Sequence, residues 1–183
     1  MFKKILVALD HSSQAATVLN SALSLAQTGI TEILLVHFVD WQMQDVSPWV
    51  GIGTLYDVDL SGERYDWSRQ RLQTEVETAN EWLKKISKKA NQSGINCKYI
   101  CHVGNCNLGI DDCARDWGAD LIVIGRRGHN KISEIFLGSV SNHVIHHAPC
   151  SVMVVQGKGS KTSEADIDKL AAVNQVSNYL SQI

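Results

Sequence analysis

Glycines and small hydroxyl residues cluster in one part of the sequence where they could bind an anion. Gly125 and Gly128 follow the apolar run at 121–124. Nine residues separate Gly128 from Gly138-Ser139, and Ser141 lies just beyond. Glycine permits either a positive φ or the close approach of a ligand to the main chain. Free N–H groups and small hydroxyls at a helix N-terminus bind phosphate. The spacing therefore predicts a phosphate cradle made of a glycine loop and a helix start.

Two adjacent arginines stand inside this cradle. Arg127 lies between the first two glycines and could donate charge-assisted hydrogen bonds to a phosphate. A solvated loop arginine is the alternative interpretation of the same residue. Arg126 has no role that its position suggests.

Polar residues also follow the other apolar runs. Asp10-His11-Ser12 comes after the first run, His37-Phe38 and Asp40 after the second, and Gly104-Asn105 after the third candidate strand. In open α/β sheets, ligands bind at the carboxyl ends of the strands, where adjacent crossovers leave on opposite faces. These residues and the phosphate cradle are therefore expected at one edge of a sheet.

The elements that would position them alternate along the chain. Short non-alternating apolar runs at 5–9, 33–36, 121–124 and 152–155 are typical of strands buried on both faces, and 97–103 alternates like a more exposed strand. Helical periodicity follows at 15–26, 72–90 and 107–118, and a fourth helix should run from Ser139 to His147. Ser12 or Ser13 should cap the first helix, and Gly29 should stop it. We expect a doubly wound α/β sheet of five parallel strands in the order 3-2-1-4-5, with helices on both faces.

Composition places the chain among globular proteins and narrows its partners. It has 183 residues, 44% of them hydrophobic, and a formal net charge of −2. That charge gives no reason to expect a nucleic-acid partner. The apolar runs are too short for a membrane span, and the N-terminus lacks a signal-peptide core, so we expect a cytoplasmic location and no membrane.

Two segments do not fit the alternating pattern: a variable insert within the predicted domain of residues 1–156, and the segment that follows this domain. An insert at 40–62 carries two tryptophans and is interpreted as a lid or partner surface, or as aromatic side chains that cover an edge of the domain. Residues 157–183 begin with a Gly-Lys-Gly-Ser linker and continue with a weak amphipathic helical pattern.

The cysteines and two of the histidines are potential ligands of a metal ion. Five cysteines, an odd number, fit a reducing compartment, and the cluster Cys97, Cys101, Cys106 and Cys113 contains no Cys-x-x-Cys pair. Small buried thiols are the favoured interpretation. His143 and His147 are four residues apart on a predicted helix, but the glutamate of a His-Glu-x-x-His motif is missing, so the spacing alone does not assign a metal.

Other nucleotide and catalytic motifs are missing from the sequence. There is no Walker-type G-x-x-x-x-G-K-[ST], no G-x-G-x-x-G after the first strand, and no G-x-S-x-G nucleophile elbow. A phosphoryl-accepting receiver domain would need an aspartate at the end of the third strand, where the chain has Val103-Gly104. No acid–base constellation favours efficient turnover, and His11 and His129 have no partner in sequence that would make them catalytic bases.

The spacing Gly125-x2-Gly128-x9-Gly138-Ser139 resembles the nucleotide motif of the universal stress protein family, in its ATP-binding branch. The resemblance extends to the segments 4–10, 118–125, 137–141 and 147–150 and covers roughly residues 2–156. It implies an adenine-nucleotide α-hydrolase-like, Rossmann-like fold. Arg126-Arg127 and Gly104-Asn105-Cys106 depart from the usual residue types.

The resemblance also implies a ligand and the residues around it. Asp10 would hold the ribose hydroxyls, backbone near Leu9 and Phe38 would meet adenine, and the remaining positions would surround ribose and phosphates: Ile124, Gly125, Arg127, Gly128, Gly138, Ser139, Val140 and Ser141. ATP or AMP is the expected ligand, with Mg²⁺ across the phosphates. No catalytic residue and no protein-bound metal are assigned.

Function and assembly follow from the same resemblance. The leading hypothesis is a stress-response regulator that acts through nucleotide-dependent conformation or partner binding. A slow ATPase or other phosphoryl-transfer enzyme, and a nucleotide-free structural dimer, are the alternatives. The family usually dimerises, and Ser151–Val155 would be an apolar edge strand that pairing with its own copy protects. A tetramer through the insert or the tail helix is a further hypothesis.

Overall fold

The computed structural model describes residues 1–39, 63–126 and 137–156, with side chains in the second helix described from residue 69. Five strands form one parallel sheet: β1 (Lys4–Ala8), β2 (Glu32–Val39), β3 (Asn96–Val103), β4 (Leu121–Gly125) and β5 (Ser151–Val155). Their order is β3-β2-β1-β4-β5, as the sequence predicts. The sheet is therefore the doubly wound α/β arrangement.

Four helices alternate with the strands: α1 (Ala15–Leu25), α2 (Glu63–Gln92), α3 (Cys106–Trp117) and α4 (Ser139–His147). One core cluster joins side chains of α1 and α2 to the sheet, and a second joins α3 and α4 to its opposite face. The central strands are buried on both faces, with Ile5, Leu6 and Val7 fully inaccessible to solvent. This two-sided burial explains why these strands are continuous apolar runs.

The third strand differs because it lies at an edge. Residues of β3 alternate in exposure, with Cys97 buried between the exposed Asn96 and Lys98. Ser87 on α2 donates a hydrogen bond to the carbonyl of Cys97 (2.6 Å), which ties this edge to the helix that covers it. The predicted exposed strand is confirmed at this position.

The prediction for the ends of α1 is wrong at both termini. Gln14, and neither Ser12 nor Ser13, is the N-cap, and the helix ends at Leu25, before Gly29. The Ser12 hydroxyl is used in the preceding turn, where it bonds to the Asp10 carboxylate and lies 3.3 Å from the Gln14 N–H. Gly29 instead has a φ of 75° in the turn that leads into β2, a conformation that favours glycine.

The strands do not all end at the same level at the carboxyl edge of the sheet, because β2 extends further than β1. β1 pairs with β2 as far as Ala8↔Val36, whereas β2 continues beside β3 to Val39. On its other side β1 pairs with β4 up to Ala8↔Ile124. β1 leads to α1 on one face and β4 leads to α4 on the other, so the gap above the end of β1 is the topological switch point of the sheet.

Several sequence predictions lie outside the described residues. They include the insert at 40–62, the tail at 157–183, and the cradle positions Arg127, Gly128 and His129. Within the described part of the chain, no helix combines the length and the apolarity that a membrane crossing requires.

Candidate functional site

The end of β4 and the start of α4 are joined by backbone hydrogen bonds. The Arg126 N–H donates to the carbonyl of Val155 (2.8 Å), and the Gly138 N–H donates to the carbonyl of Arg126 (2.9 Å). The buried Ser141 hydroxyl lies 2.9 Å from the same Arg126 carbonyl and 3.0 Å from that of Gly138. The two halves of the predicted cradle are thus held side by side, although eleven residues separate Arg126 from Gly138 in sequence.

The first turn of α4 presents main-chain donors. The first N–H of this helix to bond inside it is that of Asn142, which donates to the carbonyl of Gly138 (2.9 Å). The preceding N–H groups of Ser139, Val140 and Ser141 point out of the helix end, and the N-cap residue, Gly138, has no side chain with which to cap them. An anion placed there would accept these N–H groups and gain from the positive end of the helix dipole.

The N-terminus of α3, which packs on the same face of the sheet as α4, is capped differently. Asn105 is the N-cap of α3, and its side chain accepts a hydrogen bond from the Asn107 N–H (2.8 Å). Gly104 precedes it with a φ of 140°, a conformation that favours glycine. The α3 N-terminus therefore has a built-in acceptor, whereas that of α4 does not.

The two described cradle glycines are not there to make a turn. Gly138 has a φ of −63°, and Gly125 is a strand residue outside the set of positive-φ glycines. Of the two uses that glycine allows, these positions fit the close approach of another group to bare backbone. Gly125 ends β4, where it pairs with Val155.

Asp10 follows β1 and is oriented by the turn into α1. Its Oδ1 accepts hydrogen bonds from the Ser12 N–H (3.1 Å) and from the Ser12 hydroxyl. Within the described chain, the hydrogen bonds to this carboxylate all involve Oδ1. The half-buried carboxylate thus has a fixed orientation and a second oxygen, Oδ2, with which to accept ligand hydroxyl groups.

The predicted adenine side of the site is organised by β2. The Leu9 N–H donates to the carbonyl of Val36 (2.9 Å), and Nδ1 of the buried His37 donates to the carbonyl of Leu9 (2.8 Å). Phe38 turns to the opposite face, where its ring stacks on His102 with a centroid distance of 5.4 Å. Ile124 is buried beside Ala8, and Val140 is half-buried on α4.

His11 is directed toward α2. Its ring lies 4.4 Å from that of Trp82 and 5.0 Å from that of His37, between ring centroids. These three aromatic rings form a wall on the α2 side of the β1 and β2 ends. The sequence predicted that His11 flanks the site, but it contained no signal for the contact with Trp82.

Cys97 is a buried thiol, and the other four cysteines are half-buried. All five are free. Burial raises the pKa of Cys97 to about 11 against a partial lowering by Ser87, and burial also raises the pKa values of Cys101, Cys113 and Cys150.

A different group of potential ligands comes together on the α3–α4 face. Asp111 of α3 meets His143 and His147 of α4, and one ligand atom from each lies within 4.8 Å of the others. The i, i+4 spacing of the two histidines was visible in the sequence. The carboxylate comes from thirty-two residues earlier in the chain and becomes their neighbour only through the fold.

Comparisons with known proteins agree with this architecture. A model of the universal stress protein family matches residues 1–156. Universal stress protein Sll1388 of Synechocystis sp. is 36% identical over 155 residues, which are 85% of this chain and 98% of that protein. Universal stress protein MJ0577 of Methanocaldococcus jannaschii is 31% identical over 164 residues, with 87% and 98% covered.

Solved structures share the fold. The structure of MJ0577 superposes with a TM-score of 0.69 at 27% identity and covers 87% of this chain and 99% of its own. Universal stress protein UspA of Lactobacillus plantarum gives 0.65 at 25% identity, with 84% and 97% covered.

Two more distant structures were solved with adenine nucleotides. A universal stress protein family protein of Arabidopsis thaliana with AMP bound has a TM-score of 0.57 at 19% identity and covers 90% of this chain and 97% of its own. A universal stress protein in complex with cAMP has 0.53 at 16% identity, with 85% and 97% covered. At these identities the likeness extends to the fold alone. The family match and the relatives above 30% identity place the chain itself: it belongs to the universal stress protein family.

Proposed function

We propose that the protein binds an adenine nucleotide, ATP or AMP, at the switch point of its sheet and acts as a stress-response regulator through nucleotide-dependent conformation or partner binding. The observation that carries the proposal is the uncapped start of α4. The N–H groups of Ser139, Val140 and Ser141 stand beside the bare backbone of Gly125 and Gly138. Phosphate is the ligand that such an arrangement fits best.

Asp10 supplies the second contact, to the ribose. It follows β1 directly, and β1 and β4 end in register at Ala8↔Ile124, so Asp10 and the cradle leave adjacent strand ends. A carboxylate oxygen that faces two vicinal hydroxyl groups can accept hydrogen bonds from both. Hydrogen bonds to a charged acceptor are each worth about 1.5–3 kcal/mol, enough to position the nucleoside.

The base would lie toward β2. Backbone near Leu9 and Phe38, with the apolar Ile124 and Val140, forms the surroundings that we propose for adenine and ribose. Because the Leu9 N–H and the His37 ring are already engaged with main-chain carbonyls, the base would pair with the part of β2 that extends past β1. Arg127 and Gly128 complete the proposed phosphate site, and Mg²⁺ would bridge the phosphates.

The fold-related structures with AMP and with cAMP support an adenine nucleotide as the ligand. We further propose that residues 1–156 form the nucleotide-binding domain, and that 157–183 is a linker with an amphipathic helix. The five free thiols support a reducing, cytoplasmic location. We also propose a homodimer paired through the β5 edge, with a tetramer as a further possibility through the insert or the tail.

The test starts from the purified full chain. It is denatured and any released nucleotide is identified by mass spectrometry; the nucleotide-free protein is then titrated calorimetrically with ATP, ADP and AMP, with and without Mg²⁺. We expect a released adenine nucleotide or binding well below millimolar. If neither is found, the proposal is wrong. Phosphate release in the same samples tests the ATPase alternative, and we expect none above the uncatalysed rate.

Asp10→Ala, with Asp116→Ala as its control, tests the site. Asp116 is an exposed aspartate on α3, so its substitution makes the same change of charge away from the switch point. We expect Asp10→Ala to weaken ATP binding about ten-fold and to abolish the preference for ATP over its 2′-deoxy analogue. An equal loss in both variants would show a general charge effect and contradict the ribose contact.

A further inference from the structure

The contact between α3 and α4 contains a polar cluster that the nucleotide site does not use. Asp111 lies on α3 and His143 and His147 lie on successive turns of α4, on one face. All three belong to the described part of the chain. At 1.5 Å per residue, the two histidines are about 6 and 12 Å along the helix from Ser139, so the cluster is separate from the phosphate end.

The burial of the Asp111 carboxylate is unfavourable, and the surrounding protein groups compensate for it only in part. Its side chain is only 6% exposed, and within the described residues Oδ1 has no hydrogen-bond partner. A buried polar atom without a partner destabilises the folded state, and more so when it is charged. Burial raises the pKa of this carboxyl, and the neighbouring His143, His147 and Arg115 lower it in part.

His143 faces the Asp111 carboxylate across the contact between α3 and α4. Its Nε2 lies 3.2 Å from Oδ2 of Asp111, close enough for an ion pair. Nε2 of His143 and Oδ1 of Asp111 are both buried, and neither makes a well-aligned hydrogen bond within the described residues. One ligand-type atom on each residue is therefore left for a further partner.

His147 is held by a contact of the kind seen around metal-bound histidines. Its Nδ1 donates to the carbonyl of His143 (2.9 Å), which fixes the ring and leaves the lone pair on Nε2. The two imidazole rings are nearly parallel, with centroids 4.1 Å apart. Ligand atoms of the three residues fall within 4.8 Å of one another, so small side-chain rotations would bring all three to one cation.

We propose that Asp111, His143 and His147 form a binding site for a divalent transition-metal ion, with Zn²⁺ as the expected occupant. Two imidazoles and one carboxylate are a donor set that Zn²⁺ accepts at about 2.0–2.2 Å, with water as a fourth ligand. The cation would occupy the unused bonding capacity of Asp111 and His143 and would clamp α3 to α4. Hard cations such as Mg²⁺ prefer oxygen ligands and should bind there poorly.

A plain interhelical ion pair between Asp111 and His143 is the competing explanation. It needs no metal and no His147, whereas the proposed site needs both. The experiment therefore asks whether the protein binds Zn²⁺ and which histidines this requires. His146 provides the control, because it is an exposed neighbour on α4 and does not belong to the cluster.

Zn²⁺ is titrated into the full-length, nucleotide-free protein against a chromogenic chelator, in wild type and in Asp111→Asn, His143→Gln, His147→Gln and His146→Gln. We expect one high-affinity Zn²⁺ per chain, about ten-fold or more weaker binding in each of the first three variants, and unchanged binding in the fourth. Wild type that binds no Zn²⁺ at micromolar concentration, or equal affinities in all the variants, would overturn the proposal.

Two readouts guard against misfolding and against binding by cysteine. Zn²⁺ should raise the melting temperature of wild type and His146→Gln, and should raise that of His147→Gln by much less, since stabilisation of the folded state follows the affinity of its ligand. Substitution by Co²⁺ should give a tetrahedral spectrum without a thiolate charge-transfer band. Such a band would assign the metal to cysteine and contradict the site.

Discussion

The hydroxyl of Ser141 lies 2.9 Å from the carbonyl oxygen of Arg126, so a side chain in the first turn of α4 is tied to the residue that follows β4. Ser141 is buried, whereas Ser139, two residues earlier in the same turn, is exposed. The two serines of the cradle therefore have different tasks. Ser141 ties the start of α4 to the end of β4, and the exposed Ser139 is the serine that we propose contacts the ligand.

Alanine substitutions should separate these tasks. Ser141→Ala removes a buried hydrogen bond and should lower the free energy of unfolding by about 1–2 kcal/mol. Ser139→Ala should change the free energy of unfolding by less than about 0.5 kcal/mol. It should nevertheless weaken nucleotide binding about five-fold if its hydroxyl meets phosphate. Urea denaturation and calorimetric titration of both variants check this, and equal destabilisation by the two would contradict the division.

The contact between Phe38 and Gly109 predicts an unfavourable glycine-to-alanine change inside a helix. A Cβ on Gly109 of α3 would come within 2.5 Å of Cζ of Phe38, whose ring is half-buried. The overpacking cost of about 1–3 kcal/mol should exceed the gain of about 1 kcal/mol in helix propensity. Gly109→Ala should therefore destabilise wild type but stabilise a Phe38→Leu background. A double-mutant cycle by urea denaturation measures the coupling, and the same effect in both backgrounds would exclude the clash.

The buried Cys97 thiol should lower the free energy of unfolding at alkaline pH. Its pKa rises on folding from 9.0 to about 11, so the folded state holds the thiol proton more tightly than the unfolded state. The associated stability is present below pH 9 and is lost as pH rises toward 11, by about 2–3 kcal/mol. Cys97→Ala should remove this loss. Urea denaturation at several pH values compares the two proteins, and parallel curves for them would contradict the assignment.

Alkylation provides a second test of the same residue. Native protein treated with iodoacetamide at pH 8 should keep Cys97 unmodified, because burial suppresses the reactive thiolate. The denatured protein should be modified at all five cysteines. Peptide mass spectrometry reads out each position, and rapid labelling of Cys97 in the native protein would be inconsistent with its burial.

The edge strand β5 suggests a substitution that should dissociate the proposed dimer into monomers. Met153 is 37% exposed on this strand, which pairs on one side only, with β4. A charge at an edge strand opposes pairing with another strand. Met153→Lys should shift the protein from dimer to monomer in sedimentation, and Lys98→Met on the opposite edge should leave the dimer intact. A monomeric wild type, or a dimer that Met153→Lys does not affect, would exclude this interface.

The sheet was predictable because strands buried on both faces appear in the sequence as continuous apolar runs. The central runs contain no polar residue to disturb the pattern, and Asn105, Gly118 and Gly138 mark three of the six helix ends whose caps are described. The α1 N-cap was not predictable in the same way. Ser12 has the right residue type, but it lies two residues before the N-cap, Gln14. Its hydroxyl instead donates to the Asp10 carboxylate and accepts from the Gln14 N–H in the turn that precedes the helix.

The two candidate sites also differ in how far the sequence alone predicts them. The phosphate cradle at Gly125 and Gly138-Ser139 stays a prediction, which the sequence allows because the parts of the cradle lie close together along the chain. The Asp111 cluster was missed because the spacing of His143 and His147 specifies only two ligands. The third depends on how α3 packs against α4, and sequence periodicity contains no information about which residues of two helices meet.

The hydrogen bond from the Gly138 N–H to the Arg126 carbonyl has a further consequence for how such a protein can diversify. It is made by main-chain atoms and supported by Ser141, so it does not depend on which side chains occupy residues 127–137. The cost of closing a loop grows only slowly with its length. Substitutions and length changes between these anchors can therefore alter ligand preference while the start of α4 stays in register with the sheet. Selectivity and folding stability can evolve separately at this position.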